Sequence, residues 1–175
     1  MPIELVPYDP RWPAEFEAAA AQIRAVTGRT WLVEHIGSTS VPGLSAKPVI
    51  DLAVRVPDLQ DVDAHQHDLV GIGFLAIAGG PLTHKVRVRV KDEQRTHIAH
   101  FFPPDQWAHC NQRIFRDWLI EHPEDRDRYE QAKRTAAGEA AGGRDYTQRK
   151  TAVVQEIVDR ARAALGLPRV DVWDK

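Results

Sequence analysis

Several features that mark particular classes of protein are scarce in this sequence. Cys110 is the only cysteine among 175 residues, so an intrachain disulfide and a four-cysteine zinc site are both excluded within one chain. No segment reaches the roughly 18 apolar residues that a membrane-spanning helix needs, and the N-terminus shows no basic region followed by an apolar run. We therefore expect a protein of a reducing compartment, the cytoplasm, with no membrane partner.

Neither sign of charge dominates. The formal net charge is −2, which provides no global basic field for holding nucleic acid by counterion release. A phosphate-bearing partner must therefore meet a local basic cluster, and nucleic acid is disfavoured as a partner. With 43% hydrophobic and 27% charged residues, the composition is that of an ordinary globular protein. We expect one domain over residues 1–175.

The first half of the chain contains both helical and strand patterns. Apolar residues at helical spacing predict a helix over 12–26, which Gly28 ends. Short β-rich runs at 30–36 and 49–56 predict two strands, and a polar stretch with scattered Leu and Val predicts a helix over 59–72. The two strands flank one loop, which is the first candidate for a site.

The second half begins with strands and ends in helices. A third strand is predicted at 74–78, followed by a hairpin of strands over 85–90 and 96–102. In the first hairpin strand, Val alternates with Arg87 and Arg89, which we interpret as solvent-exposed or, alternatively, as a basic wall for a phosphate or carboxylate. The predicted fold class is α+β, with a mixed β-sheet, helices packed on one side and a helical C-terminal third.

The loop after the first of the two strands has the composition of a phosphate site. Residues 37–54 read GSTSVPGLSAKPVIDLAV, and successive backbone amides in a Gly-Ser turn form a nest that binds anions. Gly37 and the hydroxyl residues Ser38, Thr39 and Ser40 are therefore candidate phosphate binders. Alternatively, the glycine makes a tight turn and the hydroxyl groups cap it.

The strand that follows this loop carries one acidic residue among apolar ones. Asp51 stands between Ile50 and Leu52, where a buried carboxylate is costly without a partner. A hard cation such as Mg²⁺ prefers one or two carboxylates together with phosphate oxygens, and Lys47 could add a positive charge for the same phosphate. An ordinary salt bridge to a nearby Arg or Lys is the alternative role for Asp51.

These residues are part of a pattern that resembles the GrpB-like proteins of the nucleotidyltransferase superfamily, which also occur fused to dephospho-CoA kinases. The matching blocks span nearly the whole chain and comprise VPYDPRW at 6–12, HIGSTSVPGL at 35–44, Lys47, Pro48, Asp51, Thr96, His97, His100, FRDWL at 115–119, His122, Pro123, Tyr129, Lys133, Tyr146, Thr147 and Lys150. So many separated blocks do not agree by chance.

The resemblance implies a fold in which a Gly-Ser turn and acidic residues on the next strand hold a metal and a nucleoside triphosphate. The sequence departs from that pattern in two places. The usual second carboxylate is replaced by Ala53, and His97 and His100 stand where a third acidic residue is expected on a later strand. Two-metal catalysis with bridging carboxylates is therefore in question.

The two histidines are candidate catalytic and metal-ligating residues together with Asp51. Neutral imidazole can bind a softer metal or move protons near pH 7. Because His97 and His100 are three residues apart, a regular strand places them on opposite faces, and only a bulge or a strand end brings both to one site. Either histidine alone is also consistent with an ordinary structural hydrogen bond.

Basic residues of the C-terminal helices complete the candidate site. Arg116, Lys133 and Lys150 match the family blocks and could bring positive charge back to the loop. For Arg116 the alternative is a local pair with Asp117 on the helix surface.

The sequence thus predicts a nucleotidyltransferase-like protein that binds a nucleotide or phosphorylated metabolite with a divalent metal, Mg²⁺ or Mn²⁺. Transfer of a nucleotidyl group is one possibility. A catalytically inert ligand-binding or accessory module on the same fold is the alternative, which Ala53 favours.

Overall fold

The computed structural model describes residues 3–172 of the chain. In chain order the elements are α1 (Trp12–Val26), β1 (Leu32–Ile36), a 3₁₀ helix (Ser38–Ser40), β2 (Ile50–Arg55), α2 (Leu59–Ala64), α3 (Gln66–Gly71), β3 (Leu75–Ala76), β4 (Lys85–Lys91), β5 (Gln94–Phe102), α4 (Pro104–Trp107), α5 (Asn111–Glu121), α6 (Pro123–Glu139) and α7 (Gly143–Ala164).

The strands form one sheet in the order β1-β2-β5-β4-β3. Strand β2 pairs with β5 in parallel, and the three other pairings are antiparallel. The predicted hairpin of β4 and β5 is confirmed. The α+β class, the mixed sheet and the helical C-terminal third are confirmed as well.

The two faces of the sheet are covered differently. On one face the β2 residues Ile50 and Leu52 belong to a core cluster with Phe16 of α1. On the other face Ala53 forms a smaller cluster with Trp107 of α4 and others. Helices therefore contact both faces, which extends the predicted one-sided packing. We call the second face the Asp51 face, since side chains two residues apart on a strand share a face.

The arginines of β4 are covered by other segments, Arg87 almost completely and Arg89 in part. Arg87 is 6% exposed and donates hydrogen bonds to Gln66 and to the carboxylate of Asp63, at 2.7 and 3.1 Å. Arg89 donates to the carbonyl oxygen of Ile72 and covers an aromatic ring. The interpretation of solvent-exposed arginines was wrong, because α2 and α3 cover this face and supply acceptors for the guanidinium groups.

Two predicted boundaries changed in the middle of the chain. The helix expected over 59–72 is split at His65, whose ring packs edge-on against Trp31 at 5.1 Å. The strand expected over 74–78 contains only Leu75–Ala76. Local sequence patterns do not reveal such boundaries, because the contacts that set them come from other parts of the chain.

One buried carboxylate links the three long helices of the helical third, which also share a hydrophobic cluster. Asp125, at the start of α6, is 3% exposed. It accepts a hydrogen bond from Trp118 Nε1 of α5 at 2.7 Å and another from the guanidinium group of Arg160 of α7 at 2.7 Å. A buried charge is tolerated only when it is paired and hydrogen-bonded. Asp125 therefore connects α6 to both α5 and α7.

Within residues 3–172, no helix is both long enough and apolar enough to cross a lipid bilayer.

The role of Asp125 predicts a measurable loss of stability. Asp125→Asn keeps the shape of the side chain but removes the charge, so we expect the free energy of unfolding to fall by about 1.5–3 kcal/mol. Urea unfolding followed by circular dichroism measures this. Asp127→Asn is the matched control, since Asp127 is 74% exposed and should change stability by less than about 0.5 kcal/mol. Equal effects of the two substitutions would contradict the assignment.

Candidate functional site

A glycine turn brings the end of β1 against the side chain of Asp51. Ile36, the last residue of β1, is the register partner of Asp51. The next residue, Gly37, has φ 74° and ψ −177°, a conformation that only glycine adopts readily. A Cβ atom at this position would overlap the Asp51 carboxylate. Glycine is therefore required at Gly37 both by the backbone and by the space that Asp51 fills.

Two of the three hydroxyl groups after Gly37 are used within the loop. Thr39 is buried, and its Oγ1 lies 2.9 Å from Nε2 of His35. Ser40 donates its hydroxyl hydrogen to the carbonyl oxygen of Gly37 at 2.5 Å. Ser38 is only partly buried. The structure thus gives Thr39 and Ser40 structural roles and leaves Ser38 as the hydroxyl best placed for a ligand.

Asp51 and His100 are brought together across the parallel pair of strands. His100 is the register partner of Ala53, which lies two residues after Asp51 and therefore on the same face. Oδ1 of Asp51 lies 3.9 Å from Nε2 of His100, and the two side chains are 27% and 20% exposed. A small ligand from solvent can reach both groups.

His97 lies on the opposite face of the sheet. It is the register partner of Ile50, a residue of the α1 cluster. Its ring contacts Phe74 at 6.2 Å, and its Nδ1 is hydrogen-bonded to Thr96. The irregularity in this hairpin lies at Arg89 and leaves the part of β5 from 97 onward regular. The structure therefore does not bring His97 to Asp51 and His100.

A histidine that sequence reasoning missed contacts His100 instead. Nε2 of His84 lies 3.0 Å from Nδ1 of His100, and Nδ1 of His84 lies 3.2 Å from Oγ1 of Thr83. The His84 ring stacks on Phe102 at 4.5 Å. Burial lowers the pKa of His84 to about 4. The sequence does contain a signal for this contact. His84 stands two residues before Val86, so the alternation of β4 places both on one face, and Val86 is the register partner of His100.

Asp51 and His100 offer two ligands for a cation. Among residues 3–172, no group of three or more His, Cys, Asp or Glu side chains is arranged to hold a metal ion. A divalent cation that also binds phosphate oxygens and water needs only one or two protein ligands. A carboxylate beside an imidazole is consistent with that kind of site.

Three candidate phosphate-binding lysines meet around two tyrosine rings, and we call this group the lysine–tyrosine cluster. It comprises Lys47, Lys133, Lys150, Tyr129 and Tyr146. The amino groups of Lys47 and Lys150 lie 4.4 and 4.7 Å from the centre of the Tyr146 ring. That of Lys133 lies 4.9 Å from the centre of the Tyr129 ring, and Lys150 donates to the Tyr129 hydroxyl at 3.3 Å. Residues from the loop, α6 and α7 thus converge.

Lys133 also ties α6 to the loop before β2. It is 1% exposed and donates to the carbonyl oxygen of Ser45, while the Ser45 N–H donates to Glu130 at 3.0 Å. Burial lowers the pKa of Lys133 to about 7; the Glu130 carboxylate opposes this shift, and the positive charges of Lys150 and Arg134 add to it. Lys133 is therefore a buried amine whose charge a nearby anion would favour.

Arg116 is separate from the lysine–tyrosine cluster. Its guanidinium group donates to the carbonyl oxygen of His35 at 2.8 Å and lies 3.0 Å from the carboxylate of Glu34. It also pairs with Asp117 at 2.7 Å. These contacts hold α5 against the end of β1, at Glu34 and His35, just before the Gly37 turn.

The close approach of Gly37 to Asp51 predicts a difference between two glycine substitutions. Gly37 and Gly43 both have positive φ, but a Cβ atom at Gly43 meets nothing within 4 Å. Gly43→Ala should cost about 1–2 kcal/mol of stability from backbone strain alone. Gly37→Ala should cost clearly more, because the methyl group must also displace the Asp51 carboxylate. Thermal and urea unfolding of the two variants provide the test, and equal losses would show that the overlap is relieved without cost.

Partly buried histidines predict that acid destabilises the fold. Burial, with smaller contributions from Arg116 and Arg89, lowers the pKa values of His35 and His97 from 6.5 to about 4. The unfolded chain takes up protons below pH 6.5 that the folded chain does not, so the free energy of unfolding should fall as pH decreases from 6.5 to 4. Each histidine contributes up to about 3 kcal/mol.

Urea unfolding at several pH values measures this loss. His97→Phe, which preserves an aromatic ring against Phe74, should weaken the pH dependence. The exposed residue His67 provides the control, because His67→Phe should leave the slope unchanged. An unaltered slope in His97→Phe would overturn the assignment.

The chain is similar to proteins of one family over most of its length. A family model described as GrpB protein matches residues 2–160. A UPF0157 protein of Halalkalibacterium halodurans is 40% identical over 163 residues, which make up 92% of this chain and 83% of that protein. A dephospho-CoA kinase of Mycolicibacterium paratuberculosis is 30% identical over 174 residues, but these make up only 42% of that protein.

A solved structure has the same arrangement. The crystal structure of the conserved protein GrpB from Enterococcus faecalis superposes with a TM-score of 0.84 at 29% sequence identity, covering 93% of this chain and 99% of that one. The family model, the relatives and the structure agree with the residue blocks that resemble this family. The chain belongs to the GrpB family.

Proposed function

We propose that this protein binds a nucleotide or another phosphorylated small molecule together with a divalent metal, Mg²⁺ or Mn²⁺. Asp51 and His100 hold the metal, Lys47 and Lys150 with Ser38 meet the phosphate groups, and the buried Lys133 adds its charge. A nucleotidyltransferase-like reaction is the activity that the family resemblance favours.

The lysine–tyrosine cluster is the observation that carries this proposal. Burial lowers the pKa of Lys133, and the nearby charge of Lys150 adds to this effect, so the charged form of Lys133 is disfavoured. An anion between the two amines opposes that penalty, because an opposite charge within about 4–6 Å favours the charged form. Lysine is a point charge with three donors, which suits it to phosphate oxygens.

One residue of the proposed metal site, Asp51, and one residue of the lysine–tyrosine cluster, Lys47, lie close together in the sequence. Lys47 precedes Asp51 by four residues, so their Cα atoms are at most about 14 Å apart. Since Asp51 and His100 are partly exposed, the metal can enter from solvent and keep water or phosphate oxygens as its other ligands.

The second candidate function is an inert binding module on the same fold. Ala53 is completely buried on the Asp51 face, where the superfamily pattern places another carboxylate. One carboxylate and one imidazole suit a single cation better than the pair of cations that two-metal transfer requires. A binding module needs only the contacts described above.

Calorimetry with ATP, GTP, CTP and inorganic pyrophosphate, each with and without Mg²⁺ or Mn²⁺, tests the proposed function. At least one of these ligands should bind in a metal-dependent manner, and Asp51→Ala should abolish that dependence. Lys150→Met should weaken binding by about tenfold or more, the effect of losing one charged contact. Lys91→Met is the matched control, because the exposed side chain of Lys91 ends β4.

Proton uptake gives an independent readout in the same experiment. Burial lowers the pKa of Lys133 to about 7, so we expect a neutral fraction of Lys133 in the free protein at pH 8. A bound phosphate raises that pKa, so binding takes up protons, and the measured enthalpy depends on the ionisation enthalpy of the buffer. Lys133→Met should remove this dependence. Absence of binding by all four ligands, or binding indifferent to Asp51 and Lys150, would overturn the proposal.

Assays for released pyrophosphate separate the enzyme from the binding module. A transferase releases pyrophosphate from the nucleoside triphosphate that it binds, whereas a binding module retains affinity and releases none.

A further inference from the structure

His84 connects the proposed cation site to a chain of hydrogen-bonding groups on the Asp51 face. The chain runs from Thr83 Oγ1 to His84 Nδ1 at 3.2 Å, and from His84 Nε2 to His100 Nδ1 at 3.0 Å. It continues to Asp51, whose Oδ1 lies 3.9 Å from His100 Nε2. Stacking on Phe102, which is 4% exposed, fixes the plane of the His84 ring.

A hydrogen bond between two neutral imidazoles allows two arrangements of protons. In the first, His84 Nε2 carries the hydrogen, so His100 accepts at Nδ1 and presents an N–H at Nε2 toward Asp51. In the second, His100 donates from Nδ1 to His84, and its Nε2 presents a lone pair. The Thr83 hydroxyl is compatible with both, because it can donate to His84 Nδ1 or accept from it.

Only the second arrangement can bind a cation. Donor atoms about 2.1 Å from one ion lie about 3–4 Å apart around it, and the separation between Asp51 Oδ1 and His100 Nε2 falls in that range at 3.9 Å. Metal-bound histidines donate their other ring N–H to an acceptor that fixes their tautomer. In this structure the group at that position is His84 Nε2.

We propose that His84 is the positioning residue of the cation site: by accepting the Nδ1 proton of His100 it directs the Nε2 lone pair of His100 toward the carboxylate of Asp51. This inference rests on the proposed function for its metal and adds the residue that prepares the imidazole ligand. His84 itself does not touch the cation.

Titration with Mn²⁺ alone, with the free ion measured by electron paramagnetic resonance, tests the role of His84. His84→Phe keeps a ring on Phe102 but has no acceptor, so the dissociation constant should rise 10- to 100-fold. His84→Gln retains an acceptor oxygen and should recover most of the affinity. His97→Phe, a ring substitution on the opposite face of β5, should bind Mn²⁺ as the unmodified protein does.

The tautomer of His100 provides a readout that a merely structural role of His84 would not change. Long-range ¹H–¹⁵N spectra with the diamagnetic ion Zn²⁺ should show His100 with its hydrogen on Nδ1, and this form should be lost in His84→Phe. Unchanged Mn²⁺ affinity in His84→Phe, or failure of His84→Gln to recover it, would overturn the inference.

The outcomes also separate this inference from the proposed function. If the unmodified protein binds Mn²⁺ but His84→Phe binds it equally well, or His84→Gln does not recover the affinity, the role of His84 is wrong and the cation site is retained. If it binds no Mn²⁺, the cation site and the role of His84 fall together. Phosphate binding by the lysine–tyrosine cluster is judged separately by calorimetry with Lys150→Met.

Discussion

The parallel pairing of β2 with β5 is the constraint on which the candidate site depends. Because side chains alternate along each strand, the register of His100 with Ala53 places His100 on the face of Asp51 and His97 on the other. A shift of one residue would exchange the two histidines. The buried residues Leu52 and Ala99 oppose such a shift, because it would remove them from the core on the α1 face.

The Asp51 face is less completely covered than the α1 face, which leaves the candidate site open to solvent. On the opposite face, α1 to α3 cover the sheet and even the arginines of β4 are paired with side chains or carbonyl groups of these helices. On the Asp51 face, Trp107 and Cys110 pack near Ala53 in a small cluster, and Asp51 and His100 remain partly exposed. The helical third contacts the loop before β2 through the hydrogen bond from Lys133 to the carbonyl oxygen of Ser45.

Much of the fold follows from local pattern. The period of the apolar residues predicts α1, and strict alternation predicts β4 and its hairpin with β5. The predictions are wrong at residues whose contacts come from distant segments of the chain. Arg87 is buried because Gln66 and Asp63 supply acceptors, and the helix over 59–72 divides where His65 meets Trp31. No alternation pattern distinguishes a solvated arginine from one covered by a helix.

For the candidate site, the sequence by itself determined which chemistry is present: a glycine turn, an acidic residue on an apolar strand, histidines on a later strand and basic residues in the helices. The tertiary structure decided which of them meet. It joined Asp51 to His100, excluded His97 and added His84, because strand register is set by core packing on the opposite face of the sheet. It also gathered Lys47 and Lys150 around one tyrosine ring, since helix packing lies beyond the reach of local pattern.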